Sequence, residues 1–145
     1  MSSAQSIFLS EDEIRKIVQI QLDIAISALR DTLKQNIGQT YLASATYTAN
    51  GDSGATPLDT TYGSVVVFFL NVSAVSGTSP TLDLYIDIQD PASGNWVNQD
   101  KFATVTSTGT FALAEPVRST KYRVRWVLGG SSPSFSFSIG VVIIK

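Results

Sequence analysis

The chain has 145 residues, a length that fits one domain. Hydrophobic residues make up 43% and charged residues only 15%, a balance too apolar for a disordered chain. The formal net charge of −2 leaves no basic excess to neutralise phosphates, so we expect no nucleic-acid partner.

The sequence contains neither Cys nor His. Their absence removes disulfides, thiolate nucleophiles, His-dependent triads and Cys- or His-ligated metals. Carboxylates, Lys or Tyr could still support catalysis, but the composition favours a structural or binding role. We therefore expect no enzyme activity, no cofactor and no metal site. No apolar run is long enough for a signal-sequence core or a membrane span, so we expect a chain made soluble in the cytoplasm, without a membrane partner.

The first third of the chain predicts one α-helix over roughly residues 11–36. Ser10 and Glu13 have the spacing of a capping box, and Leu9 and Ile14 are placed for a hydrophobic staple. No Gly or Pro occurs from there to Gly38, which is a plausible terminator.

The predicted helix is apolar over an arc about twice the width of roughly 100° that a surface helix needs. Two interpretations remain open. The helix is sandwiched inside its own domain, or one side packs on its own β domain and the other on copies of itself. In the second interpretation Gln21 is a polar register-setting position. The predicted oligomerisation residues are Ile14, Ile17, Gln21, Ile24 and Ala28.

From Gly38 onward the pattern is that of β-strands, which sets a domain boundary between 1–37 and 38–145. Seven or eight strands without intervening helices predict an antiparallel β-sandwich or jelly-roll-like barrel. The run 65–70 is apolar on both faces, which indicates a place in the interior of an assembly. Strands are expected at 42–48, 64–75, 82–89, 101–107, 109–114, 121–128 and 135–144, with loops or turns at 50–57, 76–80, 90–95 and 129–133.

Two carboxylates share one face of a predicted strand. Asp83 and Asp87 would lie roughly 13 Å apart. That separation exceeds the roughly 5–9.5 Å between the paired carboxylates of glycosidases. Cross-strand ion pairs with Arg123 and Arg125 are the favoured explanation.

Among the aromatic residues, Trp96 is the candidate for stacking on a ligand, because it follows the turn at 93–95. Tyr122 and Trp126 fall on the apolar face of their strand and are expected in the core. The loop at 50–54 lacks the spaced acids of a calcium loop and is expected to be a solvated turn.

The residues from 63 to 139 follow a recognisable order of strands and turns. It comprises the strand and turn of 72–84, the Gly-Asn-Trp-Val turn of 94–97, and the Arg-x-Arg-Trp strand, Gly-Gly-x-Ser-Pro turn and Phe-x-Phe strand of 122–137. This order resembles a small β domain of structural proteins from tailed phages and related viruses. The head decoration (auxiliary capsid) proteins are the most similar in size and simplicity.

The resemblance implies a virion protein that sits on the capsid surface as a homotrimer and reinforces it, with the major capsid protein as partner. The segments expected to be flexible and to contact the shell are 2–9 and 41–61. The alternative is a tail or fibre-type module that recognises a host glycan through Trp96.

Overall fold

The computed structural model describes residues 8–34, 37–60 and 63–145. The chain divides into two compact units, residues 1–35 and 36–145. The first contains helix α1 (Glu11–Lys34). The described part of the second contains seven strands: β1 (Ile37–Tyr47), β2 (Gly51–Asp52), β3 (Thr56–Pro57), β4 (Val65–Gln89), β5 (Trp96–Lys101), β6 (Gly109–Pro116) and β7 (Lys121–Ile144).

Helix α1 begins where the sequence predicts. The Ser10 hydroxyl accepts a hydrogen bond from the backbone N–H of Glu13 at 3.1 Å, which caps one of the free donors of the first turn. Three acidic residues in that turn complement the positive end of the helix dipole. The predicted end at residue 36 lies outside the described residues, which carry the helix to Lys34.

Strands β4 and β7 pair with each other along almost their whole length. The sequence predicts four strands here, separated by turns at 76–80 and 129–133, and that number is wrong. The two turn segments lie opposite each other, and Thr78 pairs with Ser131 between them. Because the ladder continues through both segments, the predicted turns are bends within two long strands.

The two bends share the sequence Gly-x-Ser-Pro and the same backbone conformation. Gly77 has a φ of 115° and Gly130 a φ of 96°, while Ser79 and Ser132 both have a φ of 49°. A Cβ on Gly130 would lie 2.5 Å from the Ser79 carbonyl oxygen, and one on Gly77 would lie 2.7 Å from that of Ser132. Each glycine therefore packs against the backbone of the opposite bend, an approach that requires the missing side chain.

At these bends the paired strands fold back, which places two layers face to face. The first layer contains β1, the C-terminal half of β7, the N-terminal half of β4, and β6. The second contains β2 and β3, the N-terminal half of β7, the C-terminal half of β4, and β5. Ring contacts join the layers, with Phe68 5.7 Å from Tyr122 and Trp126 5.6 Å from Phe137. One open, antiparallel hydrogen-bonded sheet thus forms the predicted β-sandwich.

The core lies between the layers and is filled by every second residue of the long strands, as a strand period of two requires. Tyr122 and Trp126 are buried in it, as predicted. The remaining core residues of β4 and β7 are Val66, Phe68, Leu70, Val72, Leu82, Leu84, Ile86, Val124, Phe135, Phe137, Ile139, Val141 and Ile143.

The apolar run 65–70 is buried on one face only in the single chain. Val65 and Val67 are half-buried on the outer face of the first layer, and Phe69 is 38% exposed there. The sequence predicts burial of this run on both faces in an assembly, but the outer-face side chains remain partly exposed here.

Two predictions about the shorter segments are wrong. The expected loop at 50–57 contains β2 and β3, which pair with β7, and the buried residues Tyr41, Leu58 and Thr60 make 41–60 part of the fold rather than a free arm. The expected strand at 101–107 ends after its first residue. Pairing with β4 continues irregularly beyond it, since Phe102 donates to the Leu84 carbonyl and Val105 forms an isolated antiparallel bridge with Leu82. The chain then crosses from the second layer to β6 in the first.

The reciprocal bends predict a specific sensitivity. We expect Gly130→Ala to lower the free energy of unfolding by about 1–3 kcal/mol more than Gly54→Ala, measured by urea denaturation. Gly54 is the matched control because its φ of 70° is also positive, but a Cβ there meets nothing within 4 Å. Equal losses in the two variants would show that the bends do not depend on close packing.

Candidate functional site

Helix α1 carries an exposed apolar surface. The five predicted oligomerisation residues are all exposed, and Ile24 is 65% exposed. At about 100° per residue they fall within an arc of about 80°, which we call the first seam. The first seam consists of Ile14, Ile17, Gln21, Ile24 and Ala28.

A second group of apolar side chains lies beside the first seam. These residues span an arc of about 100° next to it, which we call the second seam. Leu22 in this group is 50% exposed. An amphipathic helix of this length gains most of its stability in proteins from packing its apolar face. The second seam consists of Val18, Leu22, Ala25, Ile26 and Leu29.

The remaining side of α1 is polar except for Ile20, which lies beside the first seam and is 59% exposed. Gln19 donates a hydrogen bond to the Asp23 carboxylate at 2.9 Å, four residues along the same side. This side is suited to water rather than to a partner. Near the helix start, Arg15 and Glu11 form an exposed ion pair at 3.0 Å, in the turn that precedes the second seam on the same side of the helix. An exposed pair of this kind contributes little to stability.

The outer face of the second layer is a network of charges. Asp87 is 2% exposed and accepts hydrogen bonds from Arg123 at 2.7 Å and Arg125 at 3.0 Å. These are the cross-strand ion pairs that the sequence predicts for Asp87, whereas Asp83 pairs with Lys101. Burial by itself raises the pKa of Asp87, but the hydrogen bonds from the two arginines outweigh it and hold that pKa below its ordinary value.

Trp96 belongs to this charged face. The Arg123 guanidinium lies 4.6 Å from the centre of its ring, a cation–π contact that occupies one face of the indole. Trp96 is only partly exposed. Its role in stacking on a ligand stays a prediction, and one ring face is the most that such a ligand could use.

A cleft of about 290 Å³ lies beside the turn that precedes Trp96. Two of its polar side chains are bonded to the protein itself: Gln89 donates to the Gly94 carbonyl at 3.0 Å, and Ser119 donates to the Lys121 carbonyl at 3.1 Å. The lining residues are Gln89, Asp90, Pro91, Gly94, Ser119, Thr120 and Lys121.

The described residues show neither a metal cluster nor a membrane-spanning helix. They contain no group of three or more His, Cys, Asp or Glu side chains able to hold a metal ion. The helix found among them is not long and apolar enough to span a membrane.

A buried carboxyl joins the open edges of the two layers. Glu115 on β6 is 7% exposed, and its carboxylate accepts a hydrogen bond from Gln99 of β5 at 3.1 Å. Burial, then a hydrogen bond to Asp100 and the charge of Asp100, raise the pKa of Glu115 to about 7. The same hydrogen bond lowers the pKa of Asp100. Glu115 and Asp100 therefore share one proton. They link β6 and β5, two strands that do not pair with each other in the sheet.

The sequence of β6 carries a signal for this pair that was missed in predicting the site from sequence. Glu115 is in phase with Phe111 and Leu113 along β6, and both of those side chains pack against the core. A charged residue on the inward phase of a strand requires a buried partner.

Comparisons with known proteins give only distant likenesses. No protein-family profile matches the sequence, and no curated protein matches it significantly. A solved structure described as "Bacillus endospore appendages form a novel family of disulfide-linked pili" is 12% identical, with a TM-score of 0.43, and the match covers 76% of this chain and 90% of that one. The crystal structure of PirA is 14% identical, with a TM-score of 0.31, over 76% of this chain and 93% of that one. Neither likeness bears on function.

The carboxyl pair predicts an unusual pH dependence. Between the ordinary value of 4.5 and about 7, the folded chain holds a proton on Glu115 that the unfolded chain releases. Stability should therefore fall as pH rises through this window, and level off above it. Three other carboxyls do not contribute to this slope, because their pKa values are lowered from 3.8 and they titrate below this pH range. These are Asp83, Asp87 and Asp100.

Urea denaturation between pH 4.5 and 8 measures this slope. Glu115→Gln should remove it, since the amide keeps a hydrogen-bond donor but cannot titrate. Glu11→Gln, the same change at an exposed position, should keep it. A slope that survives Glu115→Gln would assign the titration to another group.

Proposed function

We propose that this chain is a non-catalytic structural subunit that self-associates through α1 into a homotrimer and reinforces a viral capsid by binding its surface. The observation that carries the proposal is the apolar surface of α1, which is exposed along the helix. Covering it is favourable by about 25 cal/mol for each Å² removed from water, before the cost of association.

The spacing of the first seam supports three copies. Its residues alternate at intervals of three and four, the heptad pattern of a coiled coil. Ile occupies both kinds of core position, at Ile14 and at Ile17 and Ile24, a choice that shifts coiled coils from dimers toward trimers or tetramers. Gln21 lies between them, where one buried polar residue sets the register at a cost in stability.

The capsid part of the proposal comes from the sequence resemblance of residues 63–139 to head decoration proteins. The composition of the chain is compatible with such a coat role, because its polar residues are rich in hydroxyls and sparse in charge.

Absolute mass in solution tests the self-association. Light scattering after size exclusion should give three times the 15.6 kDa of one chain. The double variant Ile17→Lys with Ile24→Lys should reduce this to the mass of a monomer, because two charges per chain would be buried at the helix contact.

The matched control places the same two charges on the polar side, with Gln19→Lys and Ser27→Lys. Lys is a good helix former at either pair of positions, so circular dichroism should show equal helix content in both variants. A monomeric wild-type chain, or a trimer that tolerates lysine at residues 17 and 24, would refute assembly through the first seam.

Trp96→Ala separates capsid binding from the glycan-binding alternative. If the chain is a decoration protein, the variant should bind heads assembled from the major capsid protein of its virus as well as wild type does, in a co-sedimentation assay. If it is a glycan-binding module, wild type should bind on a glycan array and Trp96→Ala should lose that binding with its fold retained. Glycan binding that depends on Trp96, without head binding, would replace the proposal by the alternative.

A further inference from the structure

The first layer carries an uncharged apolar patch on its outer face. Directly paired residues of an antiparallel sheet lie on the same face, so the register identifies the members of the patch. All are small or apolar, and Phe69 is the large side chain that protrudes into solvent. The apolar patch consists of Val65, Val67 and Phe69 on β4, Gly140, Val142 and Ile144 on β7, and Ala112, Ala114 and Pro116 on β6.

The patch has a sharp polar border. In the next row along the same strands lie Asn71, Ser138 and Thr110, and Thr110 donates a hydrogen bond to Asn71 at 3.2 Å. The outer face of the second layer is also polar, with the ion pairs around Asp87. The apolar patch is therefore a bounded area of the first layer's outer face that lacks the polar groups found on the rest of that face and on the second layer.

The sequence of the two central strands supports a covered patch. The runs 65–70 and 141–144 are continuously apolar, and they pair with each other in the sheet. Continuous apolar runs are typical of strands buried on both faces, whereas half-buried strands alternate. One face of these strands is covered by the core, and the other needs a partner.

The size of the patch limits what that partner is. Three rows on three strands span about 15 Å in each direction, or roughly 200–250 Å². A stable interface buries about 800 Å² on each partner. Two patches facing each other would thus fall short of a stable dimer, and the occupant must be held at a second surface as well.

The second seam of α1 meets these requirements. Its residues extend over the 12 positions from Val18 to Leu29, a length of about 18 Å that matches the patch. It contains no charged residue, and it adjoins the first seam, which would supply the second contact. Leu22 is an exposed large side chain of the second seam and Phe69 is one of the patch, so both are available to a partner.

We propose that the apolar patch of each subunit binds the second seam of α1 from a neighbouring subunit of the same oligomer. This inference rests on the proposed self-association through the first seam. Each helix would then contact other helices on one side and a neighbour's sheet on the other, which accounts for an apolar arc too wide for either contact alone.

Cysteine cross-linking tests the proposal cleanly, because the natural chain has no Cys. Leu22→Cys and Phe69→Cys are made in two separately tagged chains that are co-expressed and treated with a short bismaleimide. Since each chain carries one thiol, a bond between these positions must join two chains. We expect the cross-linked pair of both tags, at a yield at least tenfold above a control in which Val97→Cys, an exposed position on the second layer, replaces Phe69→Cys.

Mass measured on the same samples separates the two proposals. A trimer whose residues 22 and 69 cross-link no better than 22 and 97 would overturn the patch contact and leave self-association standing. A monomer would overturn both. Val142→Cys tests the patch at a second position if Phe69→Cys fails to fold, and the same yield ratio is expected there.

Discussion

The sandwich depends on the close approach of two bends, because that is where one long pair of strands becomes two layers. Gly77 and Gly130 each lie against the carbonyl groups of the opposite bend, at φ values that favour glycine. The two strands therefore bend at the same level, and their ladder resumes beyond the register shifts that flank Thr78. Every cross-layer contact, including that of Phe68 with Tyr122, follows from this fold-back.

The folded-back sheet has an open edge on each side of the sandwich, and different contacts join the two layers at each edge. On one side, Tyr47 stacks 4.5 Å from Trp126, and the Trp126 indole donates to the Ala49 carbonyl at 3.1 Å. On the other side, the two edge strands meet through the polar groups of Gln99 and Glu115. Because a buried carboxyl keeps its proton only while the pH allows, this second closure is the one whose strength varies with pH.

Strand content and the core were predictable from the sequence, because they follow from an alternation of two residues that one strand displays by itself. The continuity of β4 and β7 could not be predicted, because Gly-x-Ser-Pro has the composition of a turn. It forms a bend within a strand only where it pairs with the second copy of the motif. The helix residues of the first seam could be named from periodicity alone. The apolar patch could not be predicted in this way, because it depends on how residues 65–70 pair with residues 141–144 in the folded sheet.

The two outer faces differ in a way that a monomer does not require. A sheet face that is to remain in water needs polar groups, and the second layer supplies them so fully that Asp87 is buried among its own ion pairs. The apolar patch and α1 have the opposite property, with large apolar side chains exposed. In the proposed oligomer, burying those surfaces between copies would leave the charged face outward, so the contrast between the two faces would also orient each subunit.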